Sequence, residues 1–141
     1  MVLHQVKKAN MSTNLTKMQW VEKFVKGDLF SFLMKNNIIK KGDSICYAKI
    51  TGITMEDFHM YCSKNGYPGL DIPRHQIRTS PLGEEGQTEW TLENNVYKVW
   101  FSERNTSYLV YETTSQLEFR TYWLKEMEQV WSYRLNREWI L

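Results

Sequence analysis

In the C-terminal half of the chain, apolar residues alternate at a spacing of two and then change to a spacing of three and four. The segments Val96–Ser102 and Tyr108–Thr114 are rich in aromatic and β-branched residues, which is typical of strands. Asn94–Asn95 and Glu103–Thr106 have the composition of turns, and Glu89–Glu93 can form a preceding strand. This pattern predicts an antiparallel meander of three strands.

A long helix is predicted directly after the meander. Ser115 and Glu118 have the spacing of a capping box, in which each side chain accepts a hydrogen bond from the other residue's backbone. The following residues share one helical face as far as about Leu135, and that face carries Phe119, Tyr122, Trp123, Met127, Val130 and Trp131. We expect this face to cover the sheet.

The N-terminal half predicts a more irregular arrangement. A helix is expected over Leu15–Lys35 with a break at Gly27–Asp28, followed by a strand over Ser44–Ile50. Thr54 is the expected N-cap of a short helix that ends near Gly66. The segment 67–87 contains all three prolines and is expected to be irregular.

These elements together predict one domain of the α+β class. An antiparallel meander packs against a long C-terminal helix, and an N-terminal helix completes the fold. Residues 1–12 are expected to be loosely ordered, and either Met1 or Met11 can be the natural start. The sequence shows no signal peptide and no apolar run of transmembrane length, so we expect a cytoplasmic protein with no membrane partner.

Composition narrows the class of function. The chain has 141 residues with 18 Lys and Arg against 16 Asp and Glu, for a formal net charge of +2. This balance disfavours a dedicated nucleic-acid coat, although a local basic patch is compatible with it. Cys46 and Cys62 lack a paired spacing and are expected to be free and buried.

Motifs for catalysis or metal binding are missing from the sequence. His4, His59 and His75 have no partner at metal-ligand spacing, and no nucleophile elbow or phosphate-binding loop occurs. We therefore expect a protein that is not an enzyme and that carries no catalytic residue, cofactor or metal.

Large side chains occupy both faces of the predicted hairpin. Tyr97, Val99 and Phe101 alternate with residues that include Trp100. One helix can cover only one face of such a meander. The second face is covered either by the N-terminal helix or by a partner.

The run from Trp90 through Met127 resembles a pattern found in small immunity proteins of bacterial polymorphic-toxin systems. In that pattern a strand and an aromatic-x-Val strand lead through a Glu-Arg turn to a returning strand, a Ser-x-x-Glu helix start and an aromatic-rich helix. The matching residues are Trp90, Leu92, Tyr97, Val99, Glu103, Arg104, Tyr111, Ser115, Glu118, Tyr122 and Leu124. The chain departs from the pattern at Asn105, where Gly is usual, and at Phe119, where a small residue is usual.

The resemblance implies a protein that binds a cognate toxin domain, such as a nuclease, and occludes its active site. A basic toxin site favours an acidic surface, and aromatic anchors would supply affinity. The expected partner-binding residues are Glu84, Glu85, Glu89, Tyr97, Trp100, Glu103 and Arg104. The alternative is a small nucleic-acid-binding module in which hairpin aromatics stack on bases beside Lys98 and Arg104. The oligomeric state stays open.

Overall fold

The computed structural model describes residues 14–78 and 86–141 of the chain. It contains helices α1 (Lys17–Lys26), α2 (Leu29–Lys35), α3 (Tyr47–Thr51), α4 (Met55–Asn65) and α5 (Gln116–Asn136), and strands β1 (Ser44–Ile45), β2 (Ile77–Arg78), β3 (Gln87–Glu93), β4 (Val96–Glu103), β5 (Thr106–Thr113) and β6 (Trp139–Ile140). This is an α+β structure with an antiparallel meander and a long C-terminal helix, as the sequence predicts.

The chain forms two compact units. The first holds the described residues through Asn65 together with Arg134–Leu141, and the second holds Gly66–Tyr133. The expectation of one domain stays a prediction.

In the first unit, α1 and α2 are separated at the predicted break. Gly27 adopts the left-handed conformation with φ of +80°, and this change of backbone conformation ends α1. Glycine suits the position because a side chain there would be strained. At the other end of α1, Thr16 and Gln19 form a reciprocal capping box. The break lets the chain start a second helix at Leu29 in a new direction.

Aromatic side chains form the centre of the first unit. Phe24 of α1 makes edge-to-face contacts with Tyr47 of α3, at 5.9 Å between ring centroids, and with Phe58 of α4, at 6.5 Å. All three rings are buried. Burial raises the pKa of the Tyr47 hydroxyl to about 12, so this residue stays neutral.

The predicted strand over Ser44–Ile50 is wrong beyond its first two residues. Ser44 and Ile45 pair with Ile140 and Trp139, and the ladder has only these two pairs. The chain then turns into α3, where the Thr51 hydroxyl donates to the Tyr47 carbonyl at 2.7 Å. Buried Tyr47, Ile50 and Thr51 are three and four residues apart, and so short an apolar run fits either period.

The predicted start and end of α4 are confirmed. The Thr54 hydroxyl accepts from the Asp57 amide at 3.3 Å, and the Asp57 carboxylate accepts from the Thr54 amide at 2.9 Å. This is a complete capping box. Gly66, with φ of +90°, follows the last helical residue, Asn65.

The second unit contains a four-stranded antiparallel sheet in the order β2-β3-β4-β5. The three predicted strands are confirmed, and the short β2 is an addition from the segment that we expected to be irregular. Asn94–Asn95 and Arg104–Asn105 form the two connections, with all four residues at positive φ. These two-residue turns match the twist of the flanking strands.

Helix α5 packs on one face of this sheet, as predicted. The Phe119 ring lies 4.7 Å from those of both Trp90 and Tyr97, and Tyr122 stacks on Tyr111 at 4.0 Å between centroids. We call this sheet surface the inner face. Aromatic contacts therefore connect α5 to β3, β4 and β5.

The capping of α5 differs from the predicted reciprocal box. The Ser115 hydroxyl accepts from the Glu118 amide at 3.1 Å, as expected. The Glu118 carboxylate, however, accepts from the Thr113 hydroxyl, and that same hydroxyl accepts from the Ser115 amide. Thr113 ends β5, so its side chain joins the last strand to the first turn of the helix.

Two tryptophans hold the segment that precedes β2. The Trp90 indole donates to the carbonyl of Gly69, and the Trp123 indole donates to that of Pro68 at 2.9 Å. Gly69 has φ of +74°, and a Cβ added there would lie 2.8 Å from the Trp123 ring. A side chain at this position would therefore displace the indole.

Trp123→Ala is expected to lower the free energy of unfolding by about 3–5 kcal/mol, because it empties a fully buried site. Leu117→Ala on the same helix is the control. Leu117 is 76% exposed, and its truncation should change stability by less than about 0.5 kcal/mol. Equal effects of the two changes in urea denaturation would contradict this packing.

Gly69→Ala is expected to cost about 2–5 kcal/mol, because it combines left-handed strain with the clash against Trp123. Gly66→Ala is the matched control, since its Cβ would meet nothing within 4 Å. That control should show the strain alone, about 1–2 kcal/mol. Thermal and urea unfolding measure both, and a smaller loss for Gly69→Ala than for Gly66→Ala would exclude the clash.

Candidate protein-binding face

The register of the meander defines a second sheet surface, opposite to α5. Glu89 lies directly across from Trp100, and Trp100 lies across from Leu109. Cross-strand partners share a face, so these residues point away from the inner face. We call this surface the outer face; its members in β3, β4 and β5 are Gln87, Glu89, Thr91, Glu93, Val96, Lys98, Trp100, Ser102, Ser107, Leu109 and Glu112.

Trp100 is the largest side chain on the outer face. Its indole N–H donates to the Thr91 hydroxyl at 3.0 Å across the β3–β4 ladder. Thr91 is 5% exposed, whereas Trp100 itself is only half-buried. The hydrogen bond fixes the orientation of a ring that still presents surface to solvent.

The outer face carries charges of both signs. Glu89, Glu93 and Glu112 are its carboxylates, and its basic residues are Lys98 of β4 and Arg78 of β2, which lies across from Gln87. The Lys98 ammonium lies 3.8 Å from the Glu93 carboxylate, and Glu112 is its cross-strand neighbour. The third carboxylate, Glu89, lies directly across the ladder from Trp100.

Exposed apolar side chains occur along β5 at the edge of the sheet, where Leu109 belongs to the outer face and Tyr108 pairs with Phe101 of the inner face. Tyr108, Leu109 and Val110 are 53%, 44% and 49% exposed, although they are consecutive residues of a strand. Within the part of the chain that the structure describes, β5 is hydrogen-bonded only to β4. The patch around Trp100 is therefore bordered by an apolar strand edge.

The structure brings together two of the residues expected to bind a partner, Glu89 and Trp100. Tyr97 belongs to the inner face, where it stacks on Phe119 at an angle of 12° between the rings. Glu103 and Arg104 lie at the β4–β5 turn, at the end of the hairpin. Glu84 and Glu85 lie outside the described residues.

Sequence reasoning missed Thr91, Leu109 and Glu112 as members of this surface. The turn at Asn94–Asn95 could have identified the first of them. A two-residue turn makes Glu93 the partner of Val96, and counting back from that pair places Thr91 across from Lys98. Leu109 and Glu112 required the structure, because a bulge between Val99 and Trp100 shifts the register with β5.

The described histidines, His59 and His75, lie outside the outer face. No cluster of three or more His, Cys, Asp or Glu side chains suited to a metal occurs within residues 14–78 and 86–141. His59 contacts the Phe58 ring at 5.4 Å. The structure gives neither His59 nor His75 the surroundings of a metal site.

Both cysteines are free and buried, as predicted. The Cys46 thiol donates to the carbonyls of Leu135 and Asn136. Burial raises the pKa of the Cys62 thiol to about 12, so it is protonated at neutral pH and a poor nucleophile.

A groove of about 320 Å³ lies beside α1 in the first unit and is lined by Leu15, Gln19, Glu22, Lys23, Lys26 and Asp28. Three of its four charged side chains, Glu22, Lys23 and Lys26, have partners within the chain. The Lys26 ammonium donates to the Glu22 carboxylate at 2.6 Å, and the Lys23 ammonium lies 4.3 Å from the Phe32 ring centre. The hydrogen bond between Glu22 and Lys26 raises the pKa of Lys26 and lowers the pKa of Glu22.

No known protein family, curated protein or solved structure matches this chain. Among the described residues, no helix has the length and apolar character needed to cross a membrane. The physical properties of the outer face are therefore the basis for a functional proposal.

Proposed function

We propose that this protein is an immunity protein, which binds a cognate bacterial toxin domain through the outer face of its meander and blocks the toxin's active site. The observation that carries the proposal is Trp100, a half-buried indole oriented by Thr91 on a sheet face that is partly exposed to solvent. The resemblance of residues 90–127 to immunity proteins supplies the class of partner.

The outer face has the composition of a binding surface. Binding energy at protein interfaces is concentrated in a few aromatic anchors, with Trp prominent among them. Trp100 is held by a hydrogen bond before any partner arrives, so less side-chain entropy is lost on binding. Leu109 beside it adds apolar area that is 44% exposed in the free protein.

The charge of this face favours a basic partner. Its three carboxylates, Glu89, Glu93 and Glu112, outnumber its two basic residues, Lys98 and Arg78, and complementary charge accelerates association. A nuclease active site that binds phosphates would present the required positive surface. Glu93 and Glu112 add to Glu89, which the sequence already predicts to bind a partner.

The same charges disfavour the nucleic-acid alternative. Lys98 lies 3.8 Å from the Glu93 carboxylate and across from Glu112, so two negative charges flank it. Single-stranded nucleic acid requires a positive groove along its backbone as well as aromatic rings for stacking. The basic residues of the outer face, Lys98 and Arg78, are separated by its carboxylates and by Trp100 and do not form such a groove.

The direct test is co-expression with the toxin domain encoded beside this protein. We expect cells that produce both proteins to survive, and the two chains to elute as one complex in gel filtration. Toxicity unaffected by this protein, together with separate elution, would refute the proposal. Salt-sensitive binding to single-stranded nucleic acid would then support the alternative.

Trp100→Ala is expected to weaken toxin binding by about 2 kcal/mol or more, mainly through faster dissociation, because it removes the aromatic anchor. Leu117→Ala removes an exposed apolar side chain from α5 and should leave binding unchanged. Surface plasmon resonance measures both rates, and thermal melts confirm that each variant is folded. Unchanged dissociation for a folded Trp100→Ala protein would exclude this surface.

Glu89→Lys is expected to slow association with the toxin roughly tenfold at low salt and to make the rate less sensitive to salt. The physical reason is the loss of attraction between the outer face and a basic partner. Glu56→Lys makes the same change of charge on α4, and a rate close to wild type is expected for it. Equal slowing by both substitutions would mean that the association rate depends on the net charge of the protein and not on the charge of the outer face.

A further inference from the structure

Strand β5 has an exposed edge and a nearly palindromic sequence. Read inward from its two ends, Thr106 corresponds to Thr113, and Tyr108 corresponds to Tyr111. The remaining positions match Ser107 with Glu112, both polar, and Leu109 with Val110, both apolar. Such self-complementarity is what a two-fold symmetric interface requires.

The bulge makes the side-chain pattern of β5 symmetric as well. Thr106, Tyr108, Tyr111 and Thr113 pair with inner-face residues of β4, whereas Ser107, Leu109 and Glu112 pair with outer-face residues. In a regular strand of eight residues, the two ends would point to opposite faces. Here the extra residue Val110 shifts the alternation by one, so both ends point inward.

We propose that β5 pairs antiparallel with β5 of a second copy of this chain, about a two-fold axis between Leu109 and Val110. Thr106 then lies across from Thr113 of the second copy, and Tyr108 across from Tyr111. Each pair joins residues of the same face, as an antiparallel ladder requires. The two sheets continue into one another across eight strands.

An identical strand fits this edge better than a regular one. The regular strand β4 pairs with β5 only by leaving Val110 without a partner. A bulge normally discourages pairing at a sheet edge for this reason. In the symmetric arrangement the two bulges lie side by side at the axis, and all eight residues have a partner.

The cross-strand neighbours of this dimer are favourable. The dimer contains two tyrosine pairs and two leucine–valine pairs across the strands. Tyr108, Leu109 and Val110 are about half exposed in the single chain. Glu112, the only charged residue of β5, lies across from Ser107, so no like charges are opposed. The interface thus buries the exposed apolar run of this strand.

The dimer concerns the chain by itself and does not depend on the proposed function. Across the new strand pair, inner-face residues lie opposite inner-face residues. The outer faces of the two copies therefore lie on the same side of the joined sheet. The two Trp100 side chains would then belong to one continuous surface.

The test is the mass of the purified protein, measured by light scattering during gel filtration over a series of concentrations. We expect about twice the chain mass of 16.9 kDa. Leu109→Lys with Val110→Lys places like charges around the axis and should reduce the mass to that of one chain, as should Leu109→Glu with Val110→Glu. Leu117→Lys is the control and should remain dimeric.

A mixture of the two charged variants tests the pairing itself. Leu109 lies across from Val110 of the second copy, so mixing the lysine and glutamate variants opposes unlike charges and should restore the doubled mass. A monomeric wild-type protein would overturn the proposal, as would charged variants that remain dimeric or a mixture that stays monomeric. Association that grows beyond two chains would also overturn it, because the two-fold contact closes on itself.

Discussion

Two hydrogen bonds, from tryptophan indoles to the carbonyls of two consecutive residues, organise the second unit. Trp90 from β3 and Trp123 from α5 both donate to the segment Pro68–Gly69, so the sheet, the helix and the preceding loop are joined at one place. The phenyl ring of Phe119 lies between these two indoles and contacts both. Displacing either tryptophan would leave buried polar groups unpaired as well as creating a cavity. Gly69 is required because any side chain at this position would occupy the space of the Trp123 ring.

This arrangement also separates the two faces of the sheet in composition. The inner face uses its aromatic residues for contacts with α5, and Tyr97 and Tyr111 both stack on rings of that helix. The outer face retains Trp100, whose indole is satisfied by Thr91 and needs no helix for that hydrogen bond. The proposals therefore assign the inner face to stability and the outer face to interaction. The toxin proposal uses the side chains of the outer face, whereas the dimer proposal uses the backbone edge of β5; Leu109 belongs to both.

Many of the described polar side chains have structural roles. The side chains with the clearest roles are caps, such as Thr54 with Asp57, or links between elements, such as Thr113 with Glu118. Glu22 and Lys26 form an exposed ion pair, and such pairs contribute little to stability. The outer face differs from these groups because the Glu89 carboxylate lies across from an oriented aromatic ring, Trp100. The proposed basic partner is based on that combination.

The sequence alone determined the parts of this fold that depend on local preferences. The meander, its two-residue turns, the break at Gly27 and the start of α4 follow from alternation, from asparagines that tolerate positive φ and from short polar caps. Tertiary structure decided the rest. β1 and β6 pair over only two residues each, and the chain continues from β1 into the helix at Tyr47–Thr51. The bulge at Val110, and hence the membership of the outer face, depends on pairing between β4 and β5, which a count along either strand cannot supply. The uncovered apolar run of β5 likewise became visible only in three dimensions, because exposure is a property of neighbours rather than of residue type.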